Sequence, residues 1–401
     1  MRRTVLIVKS ALEEFRVPFY TKLASALEVD NVDLRVLLPA DALAKQKLVP
    51  DESRPSLFVA VNALRFRLGA RQLNYQRIGR SVDTADLVIV QQSASDLTNY
   101  LLLAKRRRKR YRLAFWGHGQ NFQASLRSRA GEYLKEYLSK RVDYWFAYNH
   151  VSAEVVRKLP FPVERICVVN NSIDTEAARA DWDSITSQEA TQLRQSLGIC
   201  EGEPVVVYCG SLYKAKMLEF LLDSLARARR KQPLHVIVIG EGSGRDLLRE
   251  FEKRNSEWVH YVGARYGREK AMYFRLAHLC LLPGAVGLAI VDAMAYETPL
   301  LTTRSRDHGP EIGYLEPGEN GWMTDCSIED YAEAISRLLG DTDARVRLVE
   351  GCRRTASRIT LGNMVERFRR GTVSALEMAP RSRFSKAETT VEESPDPQGR
   401  Y

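Results

Sequence analysis

Short apolar runs alternate with amphipathic stretches along most of this chain. Residues 4–8 (TVLIV), 32–38, 86–91 (DLVIVQ), 113–117 (LAFWG), 144–148 and 166–171 read as strands, and 57–68 alternates in places. A run that stays apolar for several residues is what a strand buried on both faces requires. Helical spacing fills the intervals at 17–27, 95–109, 126–141 and 152–158. Strands separated by helices predict a mainly parallel sheet. The stretch 174–198 is polar, helix-prone and strandless, and reads as a connection between domains. Alternation then restarts with strands at 204–210 (PVVVYCG), 235–240 (HVIVIG) and 258–263, helices between them near 217–230, 245–254 and 269–277, and further helices at 329–339, 344–358 and 364–376. Two successive doubly wound α/β units are the economical reading. The expected division is 1–175, a connection at 176–198, 199–358, a C-terminal helix within 359–378, and a tail at 379–401 without a core-forming pattern, expected to be disordered.

One stretch breaks the pattern in an informative way. Residues 279–303, LCLLPGAVGLAIVDAMAYETPLLTT, read as strand, glycine loop, helix and strand. Gly284 and Gly287 let the backbone turn and expose its amides, and the N-terminal end of the helix behind them, through Leu288 and Ala289, suits a phosphate. Asp292 is a carboxylate on a largely apolar helix with no basic partner in the same helix. It needs donors from elsewhere, and a ligand's hydroxyl groups would serve.

Composition narrows the classes. A chain of 401 residues with 45% hydrophobic and 27% charged positions is long enough for two cores. Its six cysteines form no CxxC pair and no regular spacing, which points to free thiols in a reducing compartment and away from a metal site. No apolar run reaches the length of a membrane span, so a cytoplasmic location is expected, peripheral at most. The net charge of +10 favours an anionic partner. The densest basic run, Lys105, Arg106, Arg107, Arg108, Lys109 and Arg110, lacks the interleaved aromatics of a nucleic-acid groove and suits an anionic membrane surface or a solvated face. No nucleic-acid partner is expected.

Further polar residues stand just beyond strands, where open α/β sheets bind ligands. His118 follows 113–117 with glycine on both sides and can position a substrate or move a proton. Lys214 and Lys216, in GSLYKAK, follow the first strand of the second unit and could neutralise a leaving diphosphate; solvated loop lysines are the plainer reading. The DHGPE stretch at 307–311 ends in the same cleft as the glycine loop.

Taken in order and spacing, WGHGQN, VVNNSID, GSLYKAK, PGAVGLAIVDAMAYETPLLTT and HGPEIGYLEPGENG resemble the retaining glycosyltransferases of family four, over about residues 1–376. The resemblance implies the GT-B architecture: two Rossmann-like domains facing a cleft, the second binding a nucleotide sugar and the first an acceptor, without a metal or any other cofactor. It implies transfer with retention to a saccharide or lipid-linked acceptor in cell-surface polysaccharide synthesis, such as lipopolysaccharide. His118 and Lys216 fall on catalytic positions. Ser211, Gly284, Gly287, Leu288, Ala289 and Asp292 fall on donor-binding positions, Lys214 is the candidate for the clamp charge missing at Ser211, and Arg16 is suited to an anionic acceptor or phosphate. Two positions and one loop depart from the pattern: the family's acidic pair falls on Gly284 and Asp292, the first cation of its phosphate clamp falls on Ser211, and the first strand-to-helix loop, Lys9 to Arg16, lacks the glycine pair of many relatives. A non-catalytic nucleotide-sugar-binding partner and, less readily, a nucleotide-sugar epimerase are the competing readings.

Overall fold

The structure is a computed structural model that describes residues 2–45, 57–68, 71–106, 111–120 and 136–381. Among these residues the first domain holds β1 (Arg3–Val8), β2 (Val32–Pro39), β3 (Phe58–Val61), β4 (Ala63–Leu68), β5 (Arg71–Gln76), β6 (Leu87–Gln91), β7 (Arg112–Gly117), β8 (Tyr144–Ala147) and β9 (Ile166–Val168). Seven of these form a parallel sheet in the order β3-β2-β1-β6-β7-β8-β9. The second domain holds β10 (Val205–Cys209), β11 (His235–Ile239), β12 (Val259–Gly263), β13 (Leu279–Leu281), β14 (Leu300–Thr303) and β15 (Gly321–Thr324). These form a second parallel sheet, β12-β11-β10-β13-β14-β15. Both sheets are doubly wound, so the α/β, two-domain expectation holds. In each, the strand order reverses beside the first strand, and a crevice opens there at the carboxyl ends.

The apolar runs are explained by burial on both faces. In β1, Val5 and Ile7 enter one core while Leu6 and Val8 enter another; in β6, Leu87 and Ile89 part from Val88 and Val90 in the same way. Successive side chains of a strand point to opposite faces, so each core takes every second residue. The predicted helix at 95–109 is described over Leu97–Lys105. The tail beyond residue 381, most of the segment 126–141, and Arg107, Arg108, Lys109 and Arg110 lie outside the described residues. Within the basic run Lys105 is exposed, whereas Arg106 turns inward to the Asp143 carboxylate and to the Arg381 carbonyl at 3.1 Å. Arg106 is therefore a structural cation rather than part of an outward-facing patch.

Three elements were not expected from the sequence: the strand β15, the short helix Ala40–Lys45 and a hairpin. β4 and β5 form an antiparallel hairpin, where only broken alternation at 57–68 was visible. The stretch 174–198 forms two helices, Thr175–Asp183 and Ser187–Ser196, and Ala178, Trp182 and Ile185 enter the core of the second domain. All six cysteines are free thiols.

The C-terminal helix Leu361–Glu377 returns to the first domain. Its Leu361, Met364, Val365, Phe368, Ala375 and Leu376 belong to that domain's core. Phe368 stacks on Phe146 at 4.3 Å and meets Trp116 and Phe19 edge-on at 5.1 Å and 5.3 Å. A Phe368→Ala substitution removes this wedge and is expected to destabilise the first domain by about 3–5 kcal/mol. Denaturant unfolding followed by tryptophan fluorescence would report it, and an unchanged midpoint would show that the helix is not part of the domain's cooperative unit.

Candidate functional site

At the reversal point of the second sheet two loops meet. One runs from β10 through Ser211 to Lys216, and the other runs from β13 through Gly284 to Leu288. They touch so closely that a Cβ at position 284 would lie 2.2 Å from the Ala215 carbonyl oxygen and 2.7 Å from the Lys216 carbonyl carbon. Glycine is therefore required at 284 by packing. The Ala285 amide donates to the Ala215 carbonyl at 2.8 Å and closes the contact. Gly287 has φ 58°, the left-handed region that favours glycine, with open space where a side chain would stand.

Lys216 lies between the two loops, only 7% exposed. Its ammonium donates to the Ala285 carbonyl and, at 3.3 Å, to the Val286 carbonyl. Burial lowers its pKa, opposed by the field of Cys209, Cys280 and Glu311. Lys214 and Ser211 are exposed, and the Ser211 carbonyl accepts from the Tyr208 hydroxyl at 2.9 Å. Met217 follows in the left-handed conformation, φ 57°, and caps the helix Leu218–Lys231, whose amino end thus begins beside Lys216.

Leu288 is the N-cap residue and Ala289 the first residue of the helix Ala289–Ala295, which carries Asp292 in its first turn. Asp292 does have a cationic partner, drawn, as expected, from outside its own helix. Lys270, on the helix Gly267–Leu276, donates to Asp292 Oδ1 at 2.6 Å, and both side chains are nearly buried. Burial alone would depress the lysine; the Asp292 carboxylate, with Tyr296, outweighs this and raises its pKa. The pair lies 22 positions apart on different helices, and no spacing rule would have found it.

His118 follows β7 and lies against Tyr148, ring centres 4.2 Å apart. Burial lowers its pKa, Glu311 of the second domain opposes this, and Lys9 and Arg16 add to it, so the imidazole is neutral at pH 7. Glu311, in the DHGPE stretch, is 5% exposed and accepts from the Asn171 side chain at 3.0 Å. Asn171, in VVNNSID, also accepts from Arg16 through its side-chain oxygen, and its carbonyl accepts from the Tyr314 hydroxyl at 3.0 Å. Arg16 is 5% exposed and donates further to the Ser172 carbonyl at 3.1 Å. The structure thus places Arg16 in a buried relay that crosses between the domains. His118 and Glu311 come together from opposite domains, while Lys216, Gly284, Gly287 and Asp292 gather around the second sheet's crevice. Glu311, Asn171 and Lys270 are site-forming residues that the sequence reading left unassigned; the first two stood inside motifs that it quoted.

Comparisons with known proteins agree with this geometry. Residues 19–177 match the family model described as Glycosyltransferase Family 4, and residues 203–341 match the one described as Glycosyl transferases group 1. A D-inositol 3-phosphate glycosyltransferase of Nocardia farcinica is 28% identical over 211 residues, 49% of this chain and 46% of that protein. An uncharacterized glycosyltransferase of Methanocaldococcus jannaschii is 21% identical over 234 residues, 56% of this chain and 57% of its own length. The chain thus spans about half the length of the curated relatives it matches. Among solved structures, Anabaena HepE in complex with UDP superposes with a TM-score of 0.70 at 17% identity, covering 93% of this chain and 100% of that one. A glycosyltransferase of Rickettsia africae superposes at 0.69 with 12% identity, covering 94% and 99%. Those two likenesses establish the GT-B fold. With one family model on each domain, the chain is similar along most of its length to the group 1 and family 4 glycosyltransferases.

Proposed function

We propose that this protein transfers a sugar from a nucleotide-sugar donor, a UDP-hexose in the first instance, to a saccharide or lipid-linked saccharide acceptor, with retention at the anomeric carbon. The observation that carries the reading is the crevice at the β10/β13 reversal, where buried Lys216 and the amino end of the helix Leu218–Lys231 face the glycine loop. A diphosphate suits that combination of ammonium and free amides. Anabaena HepE, which shares the fold, has been crystallised with UDP and with UDP-glucose, and this supports the choice of base.

In this reading Asp292, steadied by Lys270, receives the ribose hydroxyls. Lys216, with exposed Lys214 and the amides near Gly287 and Leu288, stabilises charge growing on the departing diphosphate, which takes the acceptor's proton. Ser211, Gly284 and Ala289 contribute backbone to the donor site. Neutral His118 positions the transferred sugar beside Glu311. The first domain binds the acceptor, and Arg16 supports that side through the relay to Glu311. A role in cell-surface polysaccharide synthesis at the inner membrane face completes the proposal; the described residues contain no helix long and apolar enough to cross a membrane.

The packing at Gly284 bears on the non-catalytic alternative. A vanished carboxylate would leave an unfilled position, whereas here the neighbouring loop occupies the space. Gly284→Glu, which restores the family's acidic residue, is therefore expected to destabilise the second domain by about 1–3 kcal/mol and to lower transfer. A gain in transfer rate would show that the loops separate in the working enzyme.

Calorimetric titration with UDP tests the donor site. UDP should bind wild type and bind Asp292→Asn at least about tenfold more weakly, since a charge-assisted hydrogen bond to the ribose is lost. Asparagine is preferred to alanine because it keeps a partner for the buried Lys270. No UDP binding by wild type would overturn the proposed donor.

His118→Ala should lower kcat by about a hundredfold or more while changing donor KM little. In wild type the rate should fall only as the pH drops below the ordinary histidine range of ~6.5, because burial holds the imidazole neutral above it. Equal losses in kcat and donor affinity would mark the histidine as structural.

A further inference from the structure

The crevice at the other reversal point, beside β1 and β6 in the first domain, is chemically unlike the one just described. Lys9 stands at the carboxyl end of β1 and is 4% exposed. Its ammonium is 3.4 Å from Gln91 Oε1, 3.8 Å from Glu13 Oε2 and 5.4 Å from the centre of the Trp116 ring. The β4–β5 hairpin lies over the ends of these strands. Gln76 of β5 donates from its side chain to the Lys9 carbonyl at 2.9 Å and from its backbone to Thr98 Oγ1 at 2.8 Å, and the Asn74 amide donates to the Ser95 carbonyl at 2.9 Å.

Around Lys9 several buried polar atoms have no hydrogen-bond partner: Glu13 Oε2, Gln76 Oε1, Asp96 Oδ1 and Trp116 Nε1. Gln76 and Trp116 are each 2% exposed and Asp96 is 8% exposed. Asp96 precedes the helix Leu97–Lys105, the usual place for a capping carboxylate, yet its side chain does not cap that helix. Burial raises its pKa to about 6, opposed by Asn74 and by the charge of Lys9. Unsatisfied buried groups cost about 1–3 kcal/mol each. Three of them, on buried Gln76, Asp96 and Trp116 from separate elements, converge with the partly exposed Glu13 carboxylate on one lysine at a reversal point and mark a site shaped for a ligand.

The atoms left open on Gln76, Asp96 and Trp116 are two acceptors and one donor, set around a lysine whose charge the Glu13 carboxylate offsets from 3.8 Å. Hydroxyl groups match such a set because each can donate and accept. A phosphate matches less well, since Glu13 and Asp96 would repel it and the nearby Arg16 guanidinium is already engaged by Asn171 and the Ser172 carbonyl. The site also connects to the reaction centre: Trp116 packs on Tyr148 at 5.9 Å, and Tyr148 packs on His118.

We propose that this crevice is the subsite for an uncharged, hydroxyl-bearing ring of the sugar acceptor, held by Lys9, Glu13, Gln76, Asp96 and Trp116. The assignment rests on the transferase reading above and specifies its acceptor: the ring next to the transferred sugar carries free hydroxyls and no phosphate.

The test uses the full chain saturated with UDP. Saturation-transfer NMR is run with methyl glycosides of glucose, galactose, mannose and N-acetylglucosamine, with myo-inositol, and with the 6-phosphates of the four sugars. At least one neutral ring should bind, its phosphate should bind more weakly, and Asp96→Asn and Lys9→Met should each weaken the neutral ring by about tenfold. Both variants should bind UDP like wild type. Asp96→Asn should melt no lower than wild type at pH 8, because it removes a charge that burial disfavours, so weakened binding cannot be put down to unfolding. Binding of no neutral ring, tighter binding of the phosphates, or unchanged affinity in the variants would overturn the assignment. If Asp96→Asn weakens UDP-glucose but not UDP, the ring held there is the donor's and the acceptor assignment fails. Failure of wild type to bind UDP would instead strike the transferase reading itself.

Discussion

The domains are joined by a buried chain of polar contacts: Arg16 to Asn171 within the first domain, and Asn171 to Glu311 in the second. Such a chain is costly to desolvate and is tolerated only when its members are paired. Here the guanidinium also meets the Ser172 carbonyl, and Asn149 reaches the Pro310 carbonyl beside it. The relay fixes how the carboxyl ends of one sheet meet those of the other. Because Glu311 is held there, His118 acquires a carboxylate from the opposite domain as a neighbour. The field across the cleft is therefore set in part by this relay, whose Arg16 guanidinium lies 5.7 Å from the Trp116 ring.

Each crevice solves the problem of a buried lysine differently. Lys216 is held by two loop carbonyls, and the two loops approach so closely that position 284 admits only glycine. This arrangement is complete without a ligand, and it keeps an ammonium poised beside backbone amides. Lys9 sits among groups whose hydrogen bonds are left open. The first pattern stabilises the protein and predisposes the site to charge; the second leaves a cost that a hydroxyl-rich ligand would remove.

How much of this was readable in advance depends on the range of the interactions. Buried strands announced themselves because both faces of each sheet are covered, so runs such as VLIV and LVIV carry no alternation. The hairpin was obscured because its second strand, RQLNYQ, is mostly polar and carries no apolar run, and the pair stands outside the two main sheets. Motifs located His118, Lys216 and the glycine loop, since local sequence fixes a residue's place just beyond a strand. Pairings across elements were beyond such reasoning. Lys270 meets Asp292 only because separate helices converge, and Arg16 meets Asn171 across 155 positions.

Lys9 shows where sequence reading could have gone further. It directly follows the first apolar run, and a cation at the carboxyl end of the first strand of a doubly wound sheet stands at the reversal point by topology alone. Its significance lay in its surroundings, which come from Glu13 on the adjoining loop, Asp96 beyond β6 and Gln76 on the hairpin. None of these forms a motif with it. The chemical character of the crevice, a neutralised cation ringed by open acceptors, arises from the hairpin closing over strand ends that are distant in sequence. A family resemblance can place the acceptor in this domain, but only that local electrostatic balance distinguishes a hydroxylated ring from a phosphorylated one.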